Sequence, residues 1–548
     1  MTAKEVIDRS EQLISIRSPY EYIWSEIGYL CNARHLDRTR SPLTHGFVPH
    51  SEIYDTTLRT KSRMQANGIT SMIFPRDRDW LIARPPWEWR NDKHGQKMYR
   101  EAGEAVLHYL RASNFHHVNH KIITDRSQIG TGSMSMEWVK DDFGTDVMNF
   151  RKYDPLDYFI DHDSRGRVTT FGCCYEWSAA KAAEEWGIEN LSSKLQKEAK
   201  DPKNGNLLRS FILLVQRRAE WEKKEGNKGM NYSFQVVEKD GNHQVQDSGI
   251  DVFPYVVSRY DVDNANSPWG TCPAWDVLPN AYKANFAAKF MMVMGERAAV
   301  PPVLAPASMK EEGVLLGAAE ITYVSDSNHQ VWPRELTGGG NYQVGMEVWK
   351  QMQDAIDNAY NGKLFSMFSE ISGNTTATQI NAMQGEHNAQ INPTITALNQ
   401  DHTDPVVQWA FNGLYDRGLI DLPEWAINQE TGRPSLPILA YDNAITMNHK
   451  RSKALEVMGL VDTLVNLQAA GADVDVIKLK DTMIRAWRDA GQDEDEIYSE
   501  QEIQENEDRK AQQAQQAQAL QAAESMAGTA KDASAAGFDV PSVVGGMQ

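Results

Sequence analysis

Apolar residues recur every three to four positions through the opening of the chain. This spacing predicts amphipathic helices over Lys4–Arg17 and Tyr20–His35, the second carrying Tyr22, Ile23, Ile27 and Leu30. A third helix is predicted over His50–Ser71, stopping near Pro75. A fourth covers Asp92–Ser113, with Ala102, Ala105, Val106, Tyr109 and Leu110 as its apolar face. From Gly130 toward Val262 the period shortens. Met134, Met136 and Trp138 alternate with polar neighbours, and Val168–Trp177, Phe211–Trp221, Tyr232–Val237 and Val252–Tyr260 are rich in β-branched and aromatic residues, as strands are. Gly226-Asn227 and Asp240-Gly241 are turn signals between them. Ala179–Trp186 and Ser192–Lys200 read as short helical inserts.

The middle of the chain has a different layout. An aromatic turn, Ser267–Pro279 (SPWGTCPAWDVLP), leads into an apolar helical run, Asn280–Ala299. A proline-rich, strand-like insert follows, and after Gly338, Gly339 and Gly340 a second helical run covers Asn341–Phe365. Two helices flanking a small insert suit a pair of struts that presents a tip. Beyond them, Thr376-Ala377-Thr378-Gln379 fits a capping box that starts a helix toward Leu398, kinked by Pro393. Asp404-Pro405 signals another helix start, with Asp as N-cap and Pro at the first helical position, for a helix ending near Gly418. Arg451–Ala470 and Val476–Ala490 are predicted helices. Asp493–Asp508 is acidic, Ala511–Ala523 is an Ala/Gln tract, and Gly528–Gln548 is small and polar and is expected to be mobile.

Composition narrows the class. At 548 residues the chain exceeds a single core, and 41% apolar residues suit a globular protein. The 56 basic and 75 acidic residues give a net charge of −19, which argues against a surface that grips nucleic acid by overall basicity. Cys31, Cys173, Cys174 and Cys272 form neither a disulfide framework nor a zinc pattern, and read as reduced thiols. The polar start is no signal peptide, and no apolar stretch reaches the length that spans a bilayer; no membrane association is expected.

No catalytic constellation stands out. His116, His117 and His120 would share part of a helix face, but lack a Glu or Cys partner at metal-ligand spacing, so packing or surface roles are favoured over a metal. Asp161, His162 and Asp163 lack the glycine and glutamate of a calcium loop and read as a charged turn. Gly130-Thr131-Gly132-Ser133 lacks the Gly-Lys-Ser/Thr of a nucleotide-binding loop, which excludes a packaging ATPase. Neither Gly-x-Ser-x-Gly nor His-Glu-x-x-His occurs. No cofactor, no catalytic residue and no metal is expected.

Three segments, in order, carry a family resemblance: Lys61–Trp80 (KSRMQANGITSMIFPRDRDW), Tyr260–Asn280 with its SPWGTCPAWDVLPN, and Thr375–Leu422 with its Thr-Ala-Thr start and later Asp-Pro helix. With the helix–insert–helix layout between them, the chain resembles the head-to-tail connector, or portal protein, of short-tailed (podoviral) bacteriophages over about residues 1–500. The turn Trp269-Gly270-Thr271-Cys272 departs from relatives, in which basic residues are prominent, so the turn carries no support for an electrostatic role.

The resemblance implies an α+β, mainly α-helical portal fold of wing, stem, clip and crown, assembled as a ring of twelve around a central DNA channel. By it, 1–269 and 377–440 form the wing, 270–300 and 340–364 the stem, 301–339 the clip, 365–376 the tunnel loop, 441–500 the crown and 501–548 a partly disordered tail. Ser366, Met367, Phe368, Ser369, Glu370, Ile371, Ser372, Gly373 and Asn374 would line the channel. Lys283, Lys289, Arg297, Lys350 and Lys363 are candidate weak phosphate contacts, with inter-subunit salt bridges as the favoured alternative. Met309, Lys310, Glu311, Glu312, Tyr323, Trp332 and Arg334 would meet partners at the clip. The implied partners are other copies of the chain, double-stranded DNA in transit, the major capsid protein, the large terminase subunit, tail adaptor and tail-tube proteins, and internal core proteins. The implied location is the virion's head–tail vertex, after assembly in the host cytoplasm. Another tail or capsid structural protein, or a carboxylate-dependent hydrolase, are the alternatives. Val344, Val348, Met352, Ile356 and Ala359 share a helical face expected to pack against neighbouring copies.

Overall fold

A computed structural model of the chain describes residues 1–31, 52–90, 92–201, 207–219, 226–299, 342–363, 391–428 and 432–441, with a few single residues and two short strands besides. The chain divides into two compact units, Met1–Ile445 and Thr446–Gln548, and the elements named below belong to the first. The predicted helices over 451–470 and 476–490 and the capping box at Thr376 lie outside the described residues.

The fold is α+β. The first helix, α1 (Ala3–Leu30), opens on a capping box: Thr2 Oγ1 accepts from the Glu5 amide, and Glu5 Oε2 accepts from the Thr2 amide at 2.8 Å. The two helices expected here are one, with Pro19 inside it. An interior proline removes a backbone bond and costs about 3 kcal/mol. Burial on both sides of it keeps the helix whole: Leu13 on one side, Trp24, Ile27 and Leu30 on the other. Between them Arg17, itself buried, donates to Glu21 Oε1 and to the Tyr158 carbonyl, both at 2.7 Å. The next elements are α2 (Thr57–Ile73), β1 (Leu81–Arg84), α3 (Lys93–Ala112) and α4 (Phe115–Ile129). Helix α3 keeps its predicted extent, with Asp92 as N-cap accepting from the His94 amide.

Eight strands follow, interrupted by a pair of short helices. The strands β2 (Thr131–Lys140), β3 (Asp146–Tyr153), β4 (Tyr158–His162) and β5 (Val168–Ser178) precede the short helices α5 (Ala179–Trp186) and α6 (Ser193–Lys200). Then come β6 (Leu208–Arg217), β7 (Tyr232–Glu238), β8 (His243–Ile250) and β9 (Tyr255–Arg259). They form two antiparallel sheets, one ordered β4-β5-β6-β7-β8 and the other β3-β2-β9. In β6 the unbroken run Phe211–Val215 is apolar because both faces are covered. Ile212 and Leu214 face the start of α1 with Val6, Ile7 and Leu13. Phe211, Leu213 and Val215 face a larger core that holds Trp24, Tyr158, Phe171, Trp269 and the α5–α6 hairpin.

The long helix α7 (Pro273–Ala299) begins at Pro273, not at Asn280, and carries Pro279 within it. The strands β10 (Val303–Leu304) and β11 (Arg334–Glu335) pair antiparallel across the insert, and α8 (Tyr342–Ala359) returns. Residues 391–398 are helical and pass through a π-helical turn, Asn399–Thr403, into α9 (Asp404–Asp416). Asp404 therefore opens α9 as a helical residue continuing from the π turn, not as its N-cap. Its backbone is helical, and its amide bonds to the Asn399 carbonyl five residues back. The wider turn accommodates Pro405, which has no amide to offer and needs room for its ring. A last strand, β12 (Ile438–Tyr441), pairs antiparallel with β1.

Residues far apart in sequence share one core here. Ile69, Phe74, Trp80, Tyr99, Leu110, Ile122, Met134 and Phe150 pack with Ile395, Leu398, Val407, Phe411 and Leu414. The π turn is anchored to the smaller sheet: Arg259 forms a bidentate pair with Asp401, Nε to Oδ2 at 2.8 Å. Arg126, fully buried, donates to the carbonyls of Arg259 and Thr394. His402 is fully buried with neither ring nitrogen bonded among the described residues, and burial, then the nearby Arg126, holds its pKa down at about 3.

Candidate functional site: a paired-helix stem

Helix α7 leaves the body through the aromatic turn. Trp269 is buried and meets Trp24 edge-on at 4.9 Å between ring centroids. Ser267 Oγ lies 2.6 Å from the Tyr20 hydroxyl and accepts from the Trp269 amide. The Gly270 amide donates to Thr131 Oγ1, and a Cβ on Gly270 would stand 2.5 Å from the Gly130 carbonyl oxygen. Gly130, at φ +92°, ends α4 in the left-handed region. The glycine-rich run Gly130–Ser133 is thus a backbone crossing that fixes the root of α7.

The return helix α8 is rooted in the same place. Ile356 and Tyr360 are buried. The Tyr360 hydroxyl donates to the Ser127 carbonyl at 3.1 Å, and Gln65 Nε2 donates to the Tyr360 carbonyl and the Tyr260 hydroxyl. The chain ends its helix at Asn361, at φ +53°. Phe365 then lies on α2, where a Cβ on Gly68 would fall 2.1 Å from its ring.

A polar clasp joins the two helices above the root. Asp55 Oδ2 accepts from Trp349 Nε1 and Gln353 Nε2, both at 2.9 Å, while its Oδ1 accepts from the Thr57 amide. Asn285 of α7 grips the same segment: Oδ1 accepts from the amides of Tyr54 and Asp55, and Nδ2 donates to the Glu52 carbonyl. Lys61 pairs with Asp357. Asp55 and Trp349 are 294 positions apart, so no spacing in the sequence announces this clasp.

The outer faces of the stem differ from its inner ones. On α7, Ala274, Val277, Ala281, Ala284, Ala288 and Met291 are buried and step by three and four. On the opposite side Tyr282, Phe286 and Phe290 step by four and are exposed, Phe286 to 70%. On α8 the face expected to meet neighbouring copies splits. Ile356 is buried in this chain's own core and Met352 and Ala359 pack on it, because the root of the stem is embedded in the body. Val344 and Val348, toward the far end, are exposed.

Lys283, Lys289, Lys350 and Lys363 are all exposed, and Lys289 lies over the Tyr54 ring at 5.6 Å. Arg297 is in α7 and Arg334 in β11, opposite Leu304, and their side chains lie outside the described residues. So do Met309, Lys310, Glu311, Glu312, Tyr323 and Trp332, and the whole of 366–374. His116 and His120 share a face of α4. His120 Nε2 is 2.7 Å from Asn67 Oδ1, and burial, then Arg76 and Arg111, pushes His116 down to about 4. Among the described residues no group of His, Cys, Asp or Glu is arranged to hold a metal ion. Asp163 accepts from the amides of Arg165 and Arg167 in a charged turn, whereas Asp161 and His162, expected in that turn, end strand β4. Cys31, Cys173 and Cys272 are buried free thiols, with burial pushing Cys31 up to about 12. No described helix is long and apolar enough to cross a membrane.

Residues 3–498 match the family model described as bacteriophage head to tail connecting protein. The chain is also 21% identical, over 431 residues, to the portal protein of Salmonella phage epsilon15, an alignment that covers 77% of this chain and 76% of that protein.

Proposed function

The chain belongs to the bacteriophage head to tail connecting protein family, and from that premise we propose that its copies close into a ring whose stem helices α7 and α8 surround a channel for double-stranded DNA. It is a portal, a head-to-tail connector of the virion. The observation that carries the ring is the aromatic stripe Tyr282–Phe286–Phe290, exposed on a helix whose other face is already engaged. A surface patch of large apolar residues marks a site of association, and a head-to-tail contact that closes makes a ring. In this reading DNA passes during packaging and ejection, residues 366–374 face it, and 301–339 dock the large terminase subunit and later the tail adaptor. Residues 1–269 and 377–440 form the wing toward the major capsid protein, with 441–500 as crown toward the internal core proteins. A net charge of −19 favours sliding, since each phosphate neutralised by Lys or Arg adds affinity. The role is that of a structural conduit rather than an enzyme.

Negative-stain microscopy of the purified full chain tests this. Rings with a hole near the width of duplex DNA are expected, and twelve-fold symmetry is the expected count. A monomer or dimer at all concentrations would overturn the reading. Deleting Phe368–Gly373 should leave the ring intact and impair packaging or retention of DNA.

A further inference from the structure

The two outward faces of the stem differ in chemistry, and they match in height. Asn285 on α7 and Trp349 and Gln353 on α8 hold the same segment at Asp55. Further out, a Cβ on Gly345 would stand 2.7 Å from Met291 Sδ. The helices therefore run antiparallel, with Asn285 level with the 349–353 stretch and Met291 level with Gly345. The same alignment puts Lys289 level with Glu347, and Lys283 level with Asp354. Lys283 and Lys289 flank the exposed Phe286 and Phe290, whereas Glu347 and Asp354 lie on the exposed side of α8. Among the described residues, Lys283, Glu347 and Asp354 have no ion pair, and Lys289 touches only the Tyr54 ring. The basic aromatic face and the acidic face point away from each other, each opposite its helix's buried side. One copy cannot cover its own aromatic stripe with its own carboxylates.

We infer that the occupant of the α7 face is the α8 face of the next copy, with Lys283 meeting Asp354 and Lys289 meeting Glu347 across the contact. This rests on the ring reading and adds to it which face meets which. Rotation about an axis running along the stem preserves height, so groups that are level within one chain are level between neighbours. Opposite charges set partner and register, while Phe286 and Phe290 supply the apolar contact. Lys350, level with Phe286, can place its ammonium over that ring.

Charge swaps test this on the full chain, read as ring yield by mass photometry and negative stain, with circular dichroism to show that each variant is folded. K283E/K289E and E347K/D354K, each alone, should need a roughly tenfold or higher concentration for half-assembly, an effect that shrinks at high salt. Mixing the two variants should restore rings, because every contact in an alternating ring then pairs opposite charges. Carrying all four changes in one chain should restore them too. If either double variant assembles like the unchanged chain, or if the folded mixture stays unassembled, the face assignment is wrong while the ring stands. Assembly of the K283E/K289E variant into closed dimers would indicate a self-complementary contact and would also overturn it. Absence of rings from the unchanged chain would instead remove the ring reading itself.

Discussion

The five-stranded sheet and the stem pair are both strongly apolar, but they find their cover differently. On the sheet, α1 covers one face and α5, α6 and the aromatic turn cover the other, all from the same chain. On the stem, the inner sides of α7 and α8 are covered by each other and, at the root, by the body, while Phe286, Phe290 and Val348 are left in the open. The sheet is thus covered within one chain, whereas the outer faces of the stem are not. The clasp at Asp55 ties α7 to α8 through hydrogen bonds within one chain.

The contrast can be broken most sharply at two aromatic residues. Trp269→Ala should destabilise the isolated chain by about 3–5 kcal/mol, the usual cost of truncating a buried large aromatic. Phe286→Ala should leave chain stability within about 0.5 kcal/mol, as exposed positions do, yet lower ring yield. Urea denaturation of the monomer beside ring counts reads both. Equal losses of stability would erase the distinction between body and stem.

Next in size is the clasp. Asp55→Ala leaves the Trp349 donor unpaired, removes one of the two acceptors of Gln353 and takes the acceptor from the Thr57 amide at the start of α2, for an expected loss of about 2 kcal/mol. Hydrogen exchange should quicken at residues 349–353 ahead of the sheet. If exchange quickened equally in the strands, the clasp would belong to the body's cooperative unit.

A pH response is expected from two histidines of the body. His402 and His116 have folded pKa values near 3 and 4 against an ordinary 6.5, with burial as the first cause of each. Above pH 6.5 neither histidine contributes. As pH falls below 6.5 the unfolded chain takes up protons that the folded chain refuses, and stability declines until the folded values are reached. His402→Leu should flatten part of that decline and change little at pH 8. An unchanged slope would show that His402 is hydrated. Smallest is the metal response: a modest excess of zinc should leave the melting temperature unmoved, and a rise abolished by His120→Ala would establish a site at α4.

Long periodic segments could be read in advance, and short or remote ones could not. The face of α3 and the apolar run of β6 state their burial directly, because one periodicity decides each. Helix α4 was hidden by His116, His117 and His120, which suggested chemistry at positions where packing rules, with Phe115, Val118 and Ile122 buried. The strands β3, β4 and β8 mix polar and apolar residues, and β8 (HQVQDSGI) holds only two apolar side chains, so their composition announces no strand. Pro19 and Asp404 misled for the same reason: local propensity marked a helix end, and tertiary burial carried the helix through. At the stem, the helix–insert–helix layout was legible. Asp55 was not, because its partners lie on another element 294 positions away.

The π turn at Asn399–Thr403 makes this stretch intolerant of a change in residue count. One residue in a regular helix turns its successors by about 100°. Deleting any single residue there would relax the turn to an ordinary ladder and rotate 391–398 against α9. Ile395 and Leu398, now in the core, would swing away from it, and the Asp401 carboxylate would leave Arg259. A one-codon deletion there amounts to changing the phase of 391–398 against α9.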